Sequence, residues 1–139
     1  MESSSLVTLD WDSANKKISI ADFPLKSLEK VLNTILPDES LGKINDWEFV
    51  DDIEILEKFK LGRFASTVLY AITDISYSKN IGIFEIQIQE FEKFITSYCK
   101  EFGECFFNGD VIFILPHDNA VFLFHHDGEL FSYNLPLKR

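Results

Sequence analysis

The stretch from Phe106 to Leu135, FFNGDVIFILPHDNAVFLFHHDGELFSYNL, decides the fold of this chain. It holds two entirely apolar runs, Val111 to Leu115 and Ala120 to Phe124, and the turn-forming residues PHDN separate them. Runs that are apolar on both faces are typical of strands covered on each side, or packed tightly on one side. We therefore predict two adjacent interior strands of a sheet.

A third strand follows from Leu130 to Leu135, because apolar and polar residues alternate there and alternation marks a half-exposed strand. Asp127-Gly128 precedes it, and we expect a two-residue hairpin loop with positive φ at both positions. The sequence thus predicts a three-stranded meander at the C-terminal end.

The N-terminal part predicts a hairpin followed by a helix. Leu6 to Trp11 and Lys17 to Phe23 are strand-like, and residues 12–15 between them are turn-forming. Pro24 suits the first turn of a helix and Pro37 suits its end. The helical stripe comprises Leu25, Leu28, Val31, Leu32, Ile35 and Leu36.

The middle of the chain is the most acidic part. Trp47 and Phe49 are expected in a short strand. Asp51 and Asp52 should cap a helix over roughly Ile53 to Phe59, since carboxylates favour a helix N-terminus.

Two further strands and a second main helix are expected before the meander. The strands are predicted over Leu69 to Ser76 and Gly82 to Ile88. The helix should run from about Gln89 to Phe102 and end at Gly103. Together these elements predict one α+β domain over residues 1–139, in which a largely antiparallel sheet packs against two main helices.

Composition and charge narrow the function classes. The chain has 139 residues, 46% hydrophobic, with no apolar run near the ~20 residues of a membrane helix and no secretory signal at its start, so we expect a cytoplasmic protein that does not bind membranes. The net charge of −10 argues against nucleic acid as a partner. It fits a basic partner protein, or serves only to keep a phenylalanine-rich protein soluble.

The two cysteines indicate neither a fold held together by disulfides nor a zinc knuckle. Cys99 and Cys105 are separated by five residues, which is not the usual zinc spacing, and His117, His125 or His126 would have to complete a site. We expect both thiols to be reduced and at least partly buried, Cys99 to be a poor nucleophile, and no metal or cofactor.

Catalytic motifs are missing from the sequence: it has no phosphate-binding glycine loop, no Gly-x-Ser-x-Gly and no His-Glu-x-x-His. His125 and His126 should point to opposite faces at the end of a strand, so that they could not chelate one metal without distortion. A general base beside Asp127 remains an alternative. The pairs Asp51/Asp52 and Asp10/Asp12 are expected to be cap or turn acids.

The stretch FFNGDVIFILPHDNAVFLFHHDGELFSYN resembles the C-terminal part of small bacterial immunity proteins of the contact-dependent growth inhibition and related polymorphic toxin systems. The similar features are Gly109-Asp110 before an apolar strand, a polar turn, and a second apolar strand that leads into residues 125–128 (HHDG). The resemblance implies a compact cytoplasmic domain, without catalysis, that binds a toxin domain, often a nuclease.

The acidic middle segment is our candidate for the toxin-binding surface, because aromatic hot spots ringed by charge are common at such interfaces. We expect reversal of Asp52, Glu54 and Glu57 to lysine to weaken binding while leaving the fold intact. An adaptor domain that binds a basic protein, or a small His-dependent enzyme, is the alternative function. The candidate residues are Asp46, Trp47, Glu48, Asp51, Asp52, Glu54 and Glu57.

Overall fold

The computed structural model describes residues 6–18 and 24–137. Within these two ranges seven strands form one sheet in the order β1-β4-β3-β5-β6-β7-β2, and every neighbouring pair is antiparallel. In chain order the strands are β1 (Val7–Leu9), β2 (Glu39–Lys43), β3 (Val68–Ile72), β4 (Ile83–Gln87), β5 (Val111–Leu115), β6 (Ala120–Phe124) and β7 (Glu129–Asn134). The predicted α+β class is confirmed.

The described residues include five α-helices that flank the sheet: α1 (Trp11–Lys17), α2 (Leu28–Leu32), α3 (Asp52–Glu57), α4 (Asp74–Ser78) and α5 (Phe91–Phe102). One face of the sheet packs against α3 and α5, and the other packs against α1 and α2. None of the helices within the described ranges has the length and apolar character needed to cross a membrane.

Strands β5 and β6 are buried at every residue, as their continuous apolar sequence predicts. They lie in the middle of the sheet, so that side chains on both faces meet helices. The face under α3 and α5 holds nine buried phenylalanines, many of them in edge-to-face contact.

The C-terminal meander is confirmed, but its second turn differs from the predicted two-residue loop. The His125 N–H donates to Glu129 O, and the Gly128 N–H donates to His125 O. Three residues therefore form the loop, and Gly128 alone has a positive φ, of 96°. A three-residue loop needs only one left-handed position, which glycine occupies without strain.

The predicted N-terminal hairpin is wrong. Strand β1 pairs with β4, and the expected turn is inside helix α1. The Asp10 carboxylate accepts a hydrogen bond from the Ser13 N–H and caps this helix, with Lys16 and Lys17 in its last turn. The second predicted strand begins in α1 at Lys17, and its residues 19–23 lie outside the described part of the chain.

The helix after Pro24 is shorter than predicted. A 3₁₀ turn, Leu25–Ser27, leads into α2, which ends at Leu32. The Thr34 hydroxyl donates to Val31 O, a local bond that competes with continuation of the helix. Leu36, expected on the apolar stripe, is 90% exposed.

Two other strand predictions are also corrected. Trp47–Phe49 is a 3₁₀ turn, preceded by Asp46 in the left-handed region at φ 55°. The strand expected over Leu69 to Ser76 ends at Ile72, because Thr73 and Ser76 form a capping box that starts α4. The predicted helix to Phe102 and its stop at Gly103 are confirmed.

Candidate functional site

Three central strands place ionisable residues at one end of the sheet. Strand β3 ends and β5 begins at this end, since Ile72 pairs with Ile112. Strand β6 also ends there, since Phe124 pairs with Val111. Asp74 follows β3, Asp110 precedes β5 and the histidines follow β6, so the antiparallel register brings together residues that are far apart in sequence.

The histidine turn, residues 125–128, holds both imidazoles on the same side. Their ring centroids are 4.1 Å apart and the rings are tilted by 33°. The prediction that they point to opposite faces is therefore wrong, because β6 ends at Phe124 and strand alternation does not extend into the turn. His125 Nδ1 lies 2.9 Å from Asp127 Oδ1, and the side chain of His125 is 24% exposed.

Asp110 is the acceptor that connects this turn to β5. Its Oδ1 accepts the His126 backbone N–H at 2.7 Å and lies 3.0 Å from His126 Nδ1. The Asp110 side chain is only 14% exposed, whereas that of His126 is 65% exposed. The hydrogen bond that the His126 ring donates to Asp110 raises the pKa of His126, since it favours the protonated ring.

Two further carboxylates lie near Asp110. Burial raises the pKa of Glu29, and the negative charges of Asp110 and Asp74 raise it further. Burial likewise raises the pKa of Asp74, and the negative charge of Asp110 raises it further. Glu29 and Asp110 are thus partly removed from water, and they repel each other and the more exposed Asp74; these three residues are the carboxylate cluster.

Tyr77 extends the site along α4 toward α1. Its ring stacks on Trp11 with centroids 5.3 Å apart. Within the described ranges, the buried Tyr77 hydroxyl and the Trp11 indole N–H have no hydrogen-bond partner. Burial raises the pKa of Tyr77, and the charges of Glu29 and Asp74 act in the same direction, so this hydroxyl stays protonated and faces an acidic neighbourhood.

The histidine turn and Asp110 also have the composition of a metal site. Asp110, His125 and His126 each offer one ligand atom, and these atoms lie within 4.8 Å of one another. Sequence reasoning singled out the histidines, named Asp110 only as a feature of the family resemblance, and missed Glu29 and Asp74. Asp110 could have been found from its place directly before β5, but Glu29 lies on a helix, whose packing the sequence does not specify.

The acidic segment, residues 46–57, lies on the surface and is mostly exposed. Asp46, Glu48, Asp51, Glu54 and Glu57 are all exposed. Among them Phe49 is 89% exposed, which is unusual for a large aromatic side chain. The predicted surface therefore includes an aromatic residue that the prediction did not name.

Trp47 anchors this segment to the core. Its indole N–H donates to His126 O at 2.7 Å, and its ring meets Phe124 edge-to-face at 5.2 Å. A side chain at Gly128 would collide with Ile44 O and approach the Trp47 ring, so the histidine turn and the acidic segment pack closely. Trp47 holds the 3₁₀ turn in place.

Asp52 also has a structural role, unlike its neighbour Asp51. The Asp52 carboxylate accepts the N–H groups of Phe106 and Phe107 at 2.9 and 3.1 Å. Asp51 is exposed at the N-cap of α3 and makes no side-chain cap bond. The expectation that Asp52 can be reversed to lysine without harm to the fold is therefore inconsistent with these contacts.

Acidic and basic side chains lie close together at the C-terminal end of α3. Glu54 and Glu57 line a shallow groove together with basic side chains from the following loop. The basic lining residues are Lys58, Lys60 and Arg63. The negative surface is thus bounded by positive charge at its C-terminal edge.

The thiols agree with the sequence prediction in part. Burial raises the pKa of Cys99 to about 11, and the nearby Asp52 carboxylate acts in the same direction, so Cys99 is a poor nucleophile. Cys105 is exposed, in contrast to the expected burial, and neither cysteine is in a disulfide.

Comparison with known proteins finds no matching family model, no matching curated protein and no matching solved structure.

Proposed function

We propose that this protein is an immunity protein, which binds and neutralises a cognate bacterial toxin domain of the contact-dependent growth inhibition type through a stoichiometric, non-catalytic complex. The observation that carries the proposal is the exposed Phe49, with carboxylates before and after it in the chain. We define the docking surface as Asp46, Glu48, Phe49, Asp51, Glu54 and Glu57.

The chemistry of the docking surface favours a basic protein as the occupant. A nuclease domain must present positive charge where its nucleic acid substrate binds. Carboxylates on the inhibitor can occupy that positive channel and accelerate association through complementary fields. The net charge of −10 adds a long-range attraction to the local one.

The docking surface is held in one conformation before the partner arrives. Trp47 ties the 3₁₀ turn to the His126 carbonyl, and Asp52 ties the start of α3 to the backbone at Phe106. An interface that is already ordered loses less conformational entropy on binding. Phe49 then supplies the apolar contact and the acids around it supply specificity.

The experiment is co-expression with candidate toxin domains of this type, beginning with any that is encoded next to this gene. Growth rescue and recovery of a one-to-one complex support the proposal. If no such toxin is neutralised or bound, the proposal is wrong. Binding to a basic protein without rescue of growth would instead support an adaptor.

Surface variants test where the partner docks. Phe49→Ala should weaken the complex about 30-fold or more, as expected for an aromatic hot spot. The double variant Glu54→Lys/Glu57→Lys should weaken it about 100-fold, because it turns attraction into repulsion. The matched control, Glu90→Lys/Glu92→Lys, changes net charge equally at exposed positions outside the docking surface. Equal weakening by both charge pairs would exclude this surface and leave only a general charge effect.

A further inference from the structure

We propose that Asp110, His125 and His126 form a binding site for a divalent transition-metal ion of the zinc class. The site goes beyond the proposed inhibitor function and does not depend on it. It rests on the convergence of two imidazoles and one carboxylate at the end of the sheet, with one ligand atom from each lying within 4.8 Å of the others.

The outer contacts of the ligands agree with those of metal sites. A histidine that binds a metal with one ring nitrogen commonly donates the other N–H to a carboxylate, which sets the tautomer and the ring orientation. His125 Nδ1 faces Asp127 Oδ1 at 2.9 Å, and His126 Nδ1 faces Asp110 Oδ1 at 3.0 Å. The contact of His125 therefore leaves its Nε2 for an ion. An ion bound by Asp110 and His126 would instead take the place of the proton between Asp110 Oδ1 and His126 Nδ1, which are already about as close as two ligands of one zinc ion.

The charge around the site favours a cation. The carboxylate cluster brings Glu29 and Asp74 beside Asp110. Across residues 6–18 and 24–137, the lysine ion pairs involve only Glu85 and Glu90. No lysine or arginine of these ranges therefore forms an ion pair with the cluster, and histidine is its cationic neighbour.

A small movement completes the geometry. With metal–ligand bonds of about 2.0–2.1 Å, tetrahedral ligand atoms lie about 3.3 Å apart, so the three atoms must approach by up to about 1.5 Å. The His126 side chain is 65% exposed and has room to rotate, while the buried backbone of β5 and β6 holds the rest of the site. Water or a further ligand would fill the remaining position.

The donor set selects the kind of ion. Imidazole suits zinc, cobalt, nickel and copper, whereas magnesium and calcium prefer sites made of oxygen alone. We therefore expect Zn²⁺ and Co²⁺ to bind and Mg²⁺ and Ca²⁺ not to compete.

The test is calorimetric titration of the metal-free protein with Zn²⁺, together with the absorption spectrum of the Co²⁺ form. Cys105→Ser serves as the background, because the exposed thiol could otherwise bind zinc. We expect one ion per chain. His126→Ala and Asp110→Asn should each weaken binding by about 100-fold or more, since loss of a ligand exceeds the 10–100-fold effect of losing a supporting contact.

The variants are chosen to separate ligand loss from damage to the fold. The amide oxygen of Asp110→Asn still accepts the His126 N–H, and circular dichroism checks that each variant is folded. His117→Ala is the matched control, because the exposed His117 lies in the turn at the opposite end of β5 and β6. It should bind zinc like the background protein.

Three results would overturn the proposal. These are the absence of one-to-one Zn²⁺ binding at millimolar concentration, unchanged affinity in folded His126→Ala and Asp110→Asn, or equal competition by Mg²⁺. The last would mean that the carboxylates alone attract cations.

Discussion

The acidic segment and the carboxylate cluster are both rich in acids, yet their physical states differ. In the acidic segment five of the carboxylates are exposed and reach solvent independently. In the cluster, Glu29 and Asp110 are partly buried and lie beside the more exposed Asp74. The three come from separate parts of the chain, and the pKa values of Glu29 and Asp74 are raised. The comparison teaches that the number of acids in a stretch does not indicate where carboxylates act together.

The two regions are also in contact, through the Trp47 indole bound to His126 O. A substitution at Trp47 can therefore alter the conformation of the histidine turn without any movement of the sheet. Substitutions in each region can show how separate the two regions are, and how far single acids within each differ.

The largest effect is expected at Asp52, which is structural although it lies in the exposed segment. Asp52→Ala leaves two buried backbone N–H groups without an acceptor, and should lower the free energy of unfolding by about 3 kcal/mol. Urea denaturation measures this loss in the free energy of unfolding. Asp51→Ala is the matched control and should change stability by less than about 0.5 kcal/mol, because Asp51 makes no cap bond. Equal losses in the two variants would contradict this distinction.

A smaller effect is expected where the two regions meet. Trp47→Phe keeps an aromatic ring against Phe124 but removes the donor to His126 O, and should cost about 1 kcal/mol. In nuclear magnetic resonance spectra, the amide signals of the histidine turn should shift together with those of residues 47–49. Unchanged signals at His126 and Asp127 would mean that the two regions are independent.

The smallest effect is expected within the carboxylate cluster. The raised pKa of Glu29 means that its favourable contribution is complete below about pH 4.5, its ordinary value, and is lost as pH rises through the folded-state pKa. Glu29→Gln should therefore stabilise the protein at pH 7 by about 0.5 kcal/mol after solvent screening, and not at pH 4.

Thermal unfolding at the two pH values measures this difference. Glu54→Gln, at an exposed position of the acidic segment, should show no such pH dependence and serves as the control. A Glu29→Gln variant that is equally stable relative to wild type at both pH values would show that neither burial nor the charges of Asp110 and Asp74 disfavour the ionised Glu29.

Much of the fold could be predicted because it depends on local pattern. Strands β5 and β6 and helix α5 follow from continuous or periodic apolar runs, and Gly103 ends α5 as expected. The predictions failed at residues 11–17 and 73–78, where Asp10 and Thr73 start short helices. Capping bonds decided the structure there, against a turn-like composition at residues 12–15 and a strand-like composition at residues 73–76.

The site was less predictable, because it depends on which residues meet. The sequence by itself determined the number of carboxylates, the pair of histidines and the apolar strands that form the buried centre of the sheet. Only the tertiary structure decided that Asp110 lies between His126 and Glu29. It also decided that Asp52 accepts a hydrogen bond from the backbone N–H of Phe106 and that Phe49 faces solvent. Antiparallel register and helix packing create these contacts, and both arise between distant segments, beyond the reach of local sequence preference.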